Sequence, residues 1–112
     1  MLPINLLQSQ LAHNKKRINE LQSFVKEYLF DIKSTNEHIK SLEGDAHAQD
    51  YVSHLMYEKL QYMKQLQKTR KQLKQLAILQ KALKEQVFQH IIRNRIIKYE
   101  KIANGTTEFT GD

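Results

Sequence analysis

The sequence predicts an all-α fold: an antiparallel two-helix coiled-coil hairpin with unequal arms. Its turn falls at Gly44-Asp45, and its second helix overhangs at the C-terminal end. Three observations predict this. An apolar stripe runs at alternating steps of three and four residues through Ile4, Leu7, Leu11, Asn14, Ile18, Leu21, Val25, Tyr28, Ile32, Thr35, Ile39 and Leu42. Only Asn14 and Thr35 break its apolar character, and a repeat of about 3.5 residues keeps one seam facing a partner helix. Breakers are scarce, with one proline and three glycines in 112 residues. A second stripe then follows the single interior glycine and meets the first when the chain folds back there.

The elements follow in order. Pro3 suits a first helical turn, where its missing N–H costs nothing. Helix 1 is expected over about residues 4–43. Gly44 can adopt the left-handed conformation that ends a helix, and the Asp45 carboxylate can cap the next one. Helix 2 is expected over about 46–103, ended by Asn104-Gly105, with 104–112 as a polar C-terminal tail. Phe109 is the one tail residue suited to anchoring a linear motif. Residues 1–103 thus form a single helical-hairpin domain.

The stripe of helix 2 reads Val52, Leu55/Met56, Leu60, Met63, Leu66, Leu73, Leu76/Ala77, Leu83, Val87 and Ile91, interrupted by Lys59, Arg70 and Gln80. Folding at Gly44 makes the indices of facing residues sum to about 90, so Val25 meets Leu66, Ile18 meets Leu73 and Leu7 meets Leu83. One other pairing stays open. Isoleucine and valine at 4, 18, 25, 32 and 39, with leucine at 7, 21 and 42, also suit a parallel coiled coil between two copies of helix 1.

At about 1.5 Å per residue, helix 1 spans about 60 Å and helix 2 about 87 Å. Helix 1 therefore runs out near Val87, and the rest of helix 2 needs another cover. Phe88, Ile92, Ile96, Ile97 and Tyr99 make that segment apolar, while Arg93, Arg95, Lys98 and Lys101 border it with positive charge. These nine residues are the candidate partner-binding surface. The expected partner is an acidic protein surface, another helix or a second copy of this chain. Soluble monomers avoid such patches. The basic border also fits a membrane-surface helix, but the segment continues a coiled coil and lacks tryptophan.

Charge is unevenly spread. The chain carries 18 Lys and Arg against 12 Asp and Glu. Twelve basic residues lie between positions 59 and 101, opposed only by Glu85 and Glu100. Such a field attracts polyanions. Lys64, Lys68, Lys71, Lys74, Lys81 and Lys84 are the candidate nucleic-acid contacts of the rival reading, a basic accessory protein. No zinc finger, recognition-helix motif or aromatic stacking platform accompanies them.

Catalysis is not expected. Two helices form no deep pocket, and no nucleophile sits beside a base. His47, Asp50, His54 and Glu58 share a face near the turn, with His38 across it, but two histidines two turns apart cannot share one ion on a straight helix. No cofactor and no metal are implied. Without cysteine, disulfides and thiolate metal sites are excluded. No signal peptide is visible and no apolar run reaches the roughly 20 residues that span a bilayer, so a cytoplasmic protein is expected.

The unequal hairpin, Glu27-Tyr28 late in helix 1 and the lysine-rich end of helix 2 resemble the FliJ/YscO stalk proteins of bacterial flagellar and type III export machines. That resemblance implies a non-enzymatic hairpin that engages an export ATPase. Arg93-Asn94-Arg95 and Tyr99-Glu100-Lys101-Ile102 are similar to the C-terminal helix of the primosomal PriC family, which implies a replication accessory protein. The chain is shorter than typical members of either.

Overall fold

The computed structural model describes residues 2–110, with side chains described as far as Asn104. Two helices account for it: α1 (Ile4–Ser41) and α2 (Gln49–Thr110), joined through a short 3-10 turn at Ala46–Ala48. They pack antiparallel within the chain, as the predicted hairpin requires. The fold comprises two compact units, one of residues 15–77 that includes the turn, the other of the first fourteen residues with residue 78 onward.

The reversal lies at Gly44, whose φ of +84° is the left-handed conformation that glycine adopts without a Cβ clash. Before it, the Leu42 and Glu43 amides donate to the Ile39 and Lys40 carbonyls, so the last turn tightens and the α-helix ends two residues before the expected Glu43. The Ser41 hydroxyl donates to the His38 carbonyl at 2.6 Å and takes up one orphan acceptor. After the glycine, the Asp45 carboxylate accepts the His47 amide at 3.0 Å, which is the predicted cap, placed on the 3-10 turn.

Every member of the α1 stripe is buried or half-buried, and Leu7, Asn14, Leu21 and Thr35 are the most enclosed. From the end of the 3-10 turn onward the seam runs through Ala48, Val52, Leu55, Lys59, Tyr62, Leu66, Thr69, Leu73, Leu76, Gln80, Leu83, Val87 and His90, each buried or half-buried. They keep the same steps of three and four without a skip. The α2 stripe expected from hydrophobicity is therefore corrected in part. Met56, Leu60, Met63 and Ile91 are 58%, 48%, 47% and 40% exposed, and the less apolar Tyr62, Thr69 and His90 hold the seam. The cause is geometric. A seam facing a partner must keep its period, and it accepts a lysine stem or a threonine methyl where the period places one.

In the unit holding the turn, His38 lies edge-on to Tyr51 with ring centroids 5.3 Å apart. In the other unit, His90 reaches the Leu2 carbonyl. Both contacts match the predicted index sum of about 90.

A second correction concerns the end of α2. The helix continues through Asn104-Gly105 to Thr110. Glycine inside a helix costs only about 1 kcal/mol relative to alanine, and no proline follows to forbid continuation. The Phe109 side chain and residues 111–112 lie outside the described set.

Candidate interaction surface

The candidate surface lies where α2 has outrun α1. His90 is level with Leu2, two residues ahead of the first residue of α1, so α2 beyond His90 lies past the end of α1. The seam itself changes character there. Its next positions are Asn94, Ile97, Lys101 and Asn104, three of the four polar and all exposed.

Apolar residues move to the other side of the helix. At about 100° per residue, Phe88, Ile92, Ile96 and Tyr99 cluster on the face opposite the hairpin seam. Phe88, Ile96 and Tyr99 are 57%, 52% and 71% exposed, and Ile92 is half-buried. Arg95 falls inside this stripe, between Ile92 and Tyr99, while Arg93 and Lys98 flank it, all three exposed. Two of the nine predicted residues fall elsewhere. Ile97 and Lys101 occupy seam positions on the reverse face, although both are exposed.

The six candidate nucleic-acid lysines are all exposed. Lys64, Lys68 and Lys71 recur at four- and three-residue steps and share one outward face, with Lys74 beside them. Lys81 and Lys84 belong to the other unit. Among the described residues the ion pairs are Arg17 with Glu20 at 3.3 Å and His54 with Glu58 at 3.0 Å, neither involving these lysines.

The polar group near the turn is occupied by local contacts. His54 is taken by Glu58, the His47 amide by Asp45, and His38 packs edge-on against Tyr51. Among the described residues no three such groups are placed to hold a metal ion. No described helix is long and apolar enough to cross a membrane.

Residues missed by sequence reasoning lie in the unit holding the turn. Leu29, Met56, Leu60 and Met63 are between 44% and 58% exposed. The signal was present: continuing the strict alternation from Val52 and Leu55 leads to Lys59 and Tyr62 and leaves the three α2 residues outside the seam. No family model, curated protein or solved structure matches the chain.

Proposed function

We propose that this chain is a non-enzymatic coiled-coil interaction module, acting in the cytoplasm, whose contact surface is the C-terminal part of α2. One observation carries the reading: Phe88, Ile96 and Tyr99 stand exposed on the face turned away from the seam, with Arg95 among them. An apolar stripe at helical spacing is the half of a helix–helix contact that this chain supplies. Its cationic border repels a second identical stripe and suits a helix with acidic flanks.

The test is a titration of a labelled amphipathic helical peptide carrying leucines on one face and glutamates beside them. The wild-type chain should bind it, less tightly as salt rises. Ile92→Asp with Ile96→Asp should abolish binding and leave helicity intact. Absent binding, or binding that the double substitution leaves unchanged, removes the overhang from this reading.

A second reading rests on the lysines of α2. Lys64, Lys68, Lys71 and Lys74 form a cationic row with no acidic partner among the described ion pairs, as a contact for nucleic-acid phosphates requires. Affinity for DNA or RNA should fall steeply between low and physiological salt. Flat or absent binding at low salt ends that reading.

A further inference from the structure

The hairpin has two dissimilar edges in residues 15–77, and they complement each other. His38 and Tyr51 each precede a seam residue (Ile39 and Val52), and their ring contact defines one edge, where such preceding positions of the two helices meet. The opposite edge carries the residues that follow the seam positions Tyr28, Leu55 and Tyr62, namely Leu29, Met56 and Met63, with Leu60 beside them.

The two edges differ in charge. Along the Leu29–Met63 edge, between Lys15 and the turn and from Gln49 to Ala77, the ionisable residues are Lys15, Lys26, Lys33, Lys40, Arg70 and Lys74, opposed only by Glu43, which shares a groove with Met56 at the turn. The groove beside Leu60 and Met63 is lined by Lys64, Arg70, Lys71 and Lys74. On the His38–Tyr51 edge, α1 carries Glu20, Glu27 and Asp31 around Phe24, and α2 adds Glu58. Arg17, paired with Glu20 at 3.3 Å, and Lys68 are the bases there, so the acids prevail around Phe24 at Glu27, Asp31 and Glu58. Phe24 is 41% exposed. The edges also differ in closure. Asp31, Glu58 and Gln72 are half-buried on the acidic edge, whereas Met56, Met63 and Arg70 are open on the basic one.

Both patches lie at the same level of the helix pair, because residues 24–31 of α1 stand beside about 59–66 of α2 in the observed register. We infer that this unit associates edge to edge with a second copy of the chain, the aliphatic-basic edge of one copy receiving the aromatic-acidic edge of the next. Leu29, Leu60 and Met63 cover Phe24, and Lys26, Lys33 and Arg70 meet Glu27, Asp31 and Glu58. The charge complementarity lies within one sequence, so the occupant is the same chain and not an unspecified acidic helix. A contact between two different patches is heterologous. It leaves one edge free on each end copy and continues into a ring or an open row. The contact is independent of the C-terminal overhang.

That asymmetry provides the test. The parent is the full chain carrying Ile92→Asp and Ile96→Asp, which removes any contribution from the overhang. Its weight-average mass in sedimentation equilibrium should rise continuously with concentration. One variant adds Leu60→Glu and Met63→Glu to disable the basic edge. The other adds Phe24→Lys and Glu27→Lys to disable the acidic edge. Each should remain monomeric alone, and their equimolar mixture should form a dimer that grows no further, because one intact edge of each kind remains. All substituted positions but the half-buried Ile92 are exposed, so circular dichroism should show unchanged helicity; Met56→Glu replaces the first pair if it does not. A parent monomeric through the millimolar range, variants that associate like the parent, or a mixture that stays monomeric each overturns the inference.

Discussion

His90 Nε2 lies 2.6 Å from the backbone carbonyl oxygen of Leu2, a residue 88 positions earlier. A carbonyl only accepts, so the ring must donate from Nε2, and the contact selects that tautomer. This bond closes the end of the seam. It occupies the place where an apolar residue would continue the stripe, and it ties down the chain just ahead of Pro3, whose carbonyl receives the Leu7 amide at 3.1 Å.

His90→Ala should therefore loosen the start of α1 more than the helix pair as a whole. The bond is partly solvated, so its loss should lower global stability by no more than about 1 kcal/mol. Amide hydrogen exchange should quicken at Leu7 and Gln8 while the amides around Leu66 keep their protection. Equal acceleration at both places contradicts a local role.

The seam assignment predicts opposite outcomes for leucines only a few residues apart. Leu66 is 8% exposed and Leu60 is 48% exposed. Leu66→Ala should cost about 2–5 kcal/mol, as large-to-small core substitutions do, and in a two-helix fold that approaches the whole stability. Leu60→Ala should stay within about 0.5 kcal/mol of the parent, the range of ordinary surface changes. Urea midpoints of the two variants decide between this seam and one that follows hydrophobicity.

How much of this was legible follows from the same contrast. In α1 periodicity and hydrophobicity agree, and all twelve stripe residues fall in the seam. In α2 they conflict at Lys59, Tyr62, Thr69 and His90, and a reading that follows the most apolar residue drifts by one position to Met56, Leu60, Met63 and Ile91. A one-position shift turns a helical residue by about 100° and moves it from seam to edge. The overhang was legible as a consequence of unequal arm lengths. Its division into two faces was not, because placing Ile97 and Lys101 requires the seam's phase, which the drift had displaced. The helical course past Gly105 was hidden for a different reason: Asn-Gly permits a stop without imposing one.

The turn should separate backbone strain from steric space. A Cβ at Gly44 would meet nothing within 4 Å, so Gly44→Ala has room, yet its φ of +84° disfavours any L residue. The expected cost is about 1 kcal/mol, with Gly44→Asn less damaging because asparagine tolerates the left-handed region. Asp45→Ala should cost about 1 kcal/mol by leaving the His47 amide uncapped. Thermal melts of the three variants should rank asparagine mildest. Equal losses for alanine and asparagine at position 44 would contradict a conformational origin.

Two buried polar atoms in the unit holding the chain start offer the sharpest test of what the seam is for. Asn14 Nδ2 and Gln80 Oε1 have no hydrogen-bond partner among the described residues, although one is a donor and the other an acceptor. A buried group left unsatisfied costs about 1–3 kcal/mol, so Asn14→Leu should raise the melting temperature, and adding Gln80→Leu should raise it further. Stability is not the only effect of polar seam residues. They penalise alternative registers and partners, in which they face leucine instead of each other's surroundings. With both replaced, α1 gains an uninterrupted apolar stripe over its first half, well suited to pairing with its own copy. Placed in a parent that also carries Leu60→Glu, Met63→Glu, Ile92→Asp and Ile96→Asp, and is monomeric for that reason, the double variant should therefore melt higher yet sediment as a mixture of species where that parent gives one. A variant that melts higher and keeps the parent's single species shows that the polar pair only weakens the hairpin and does not specify it.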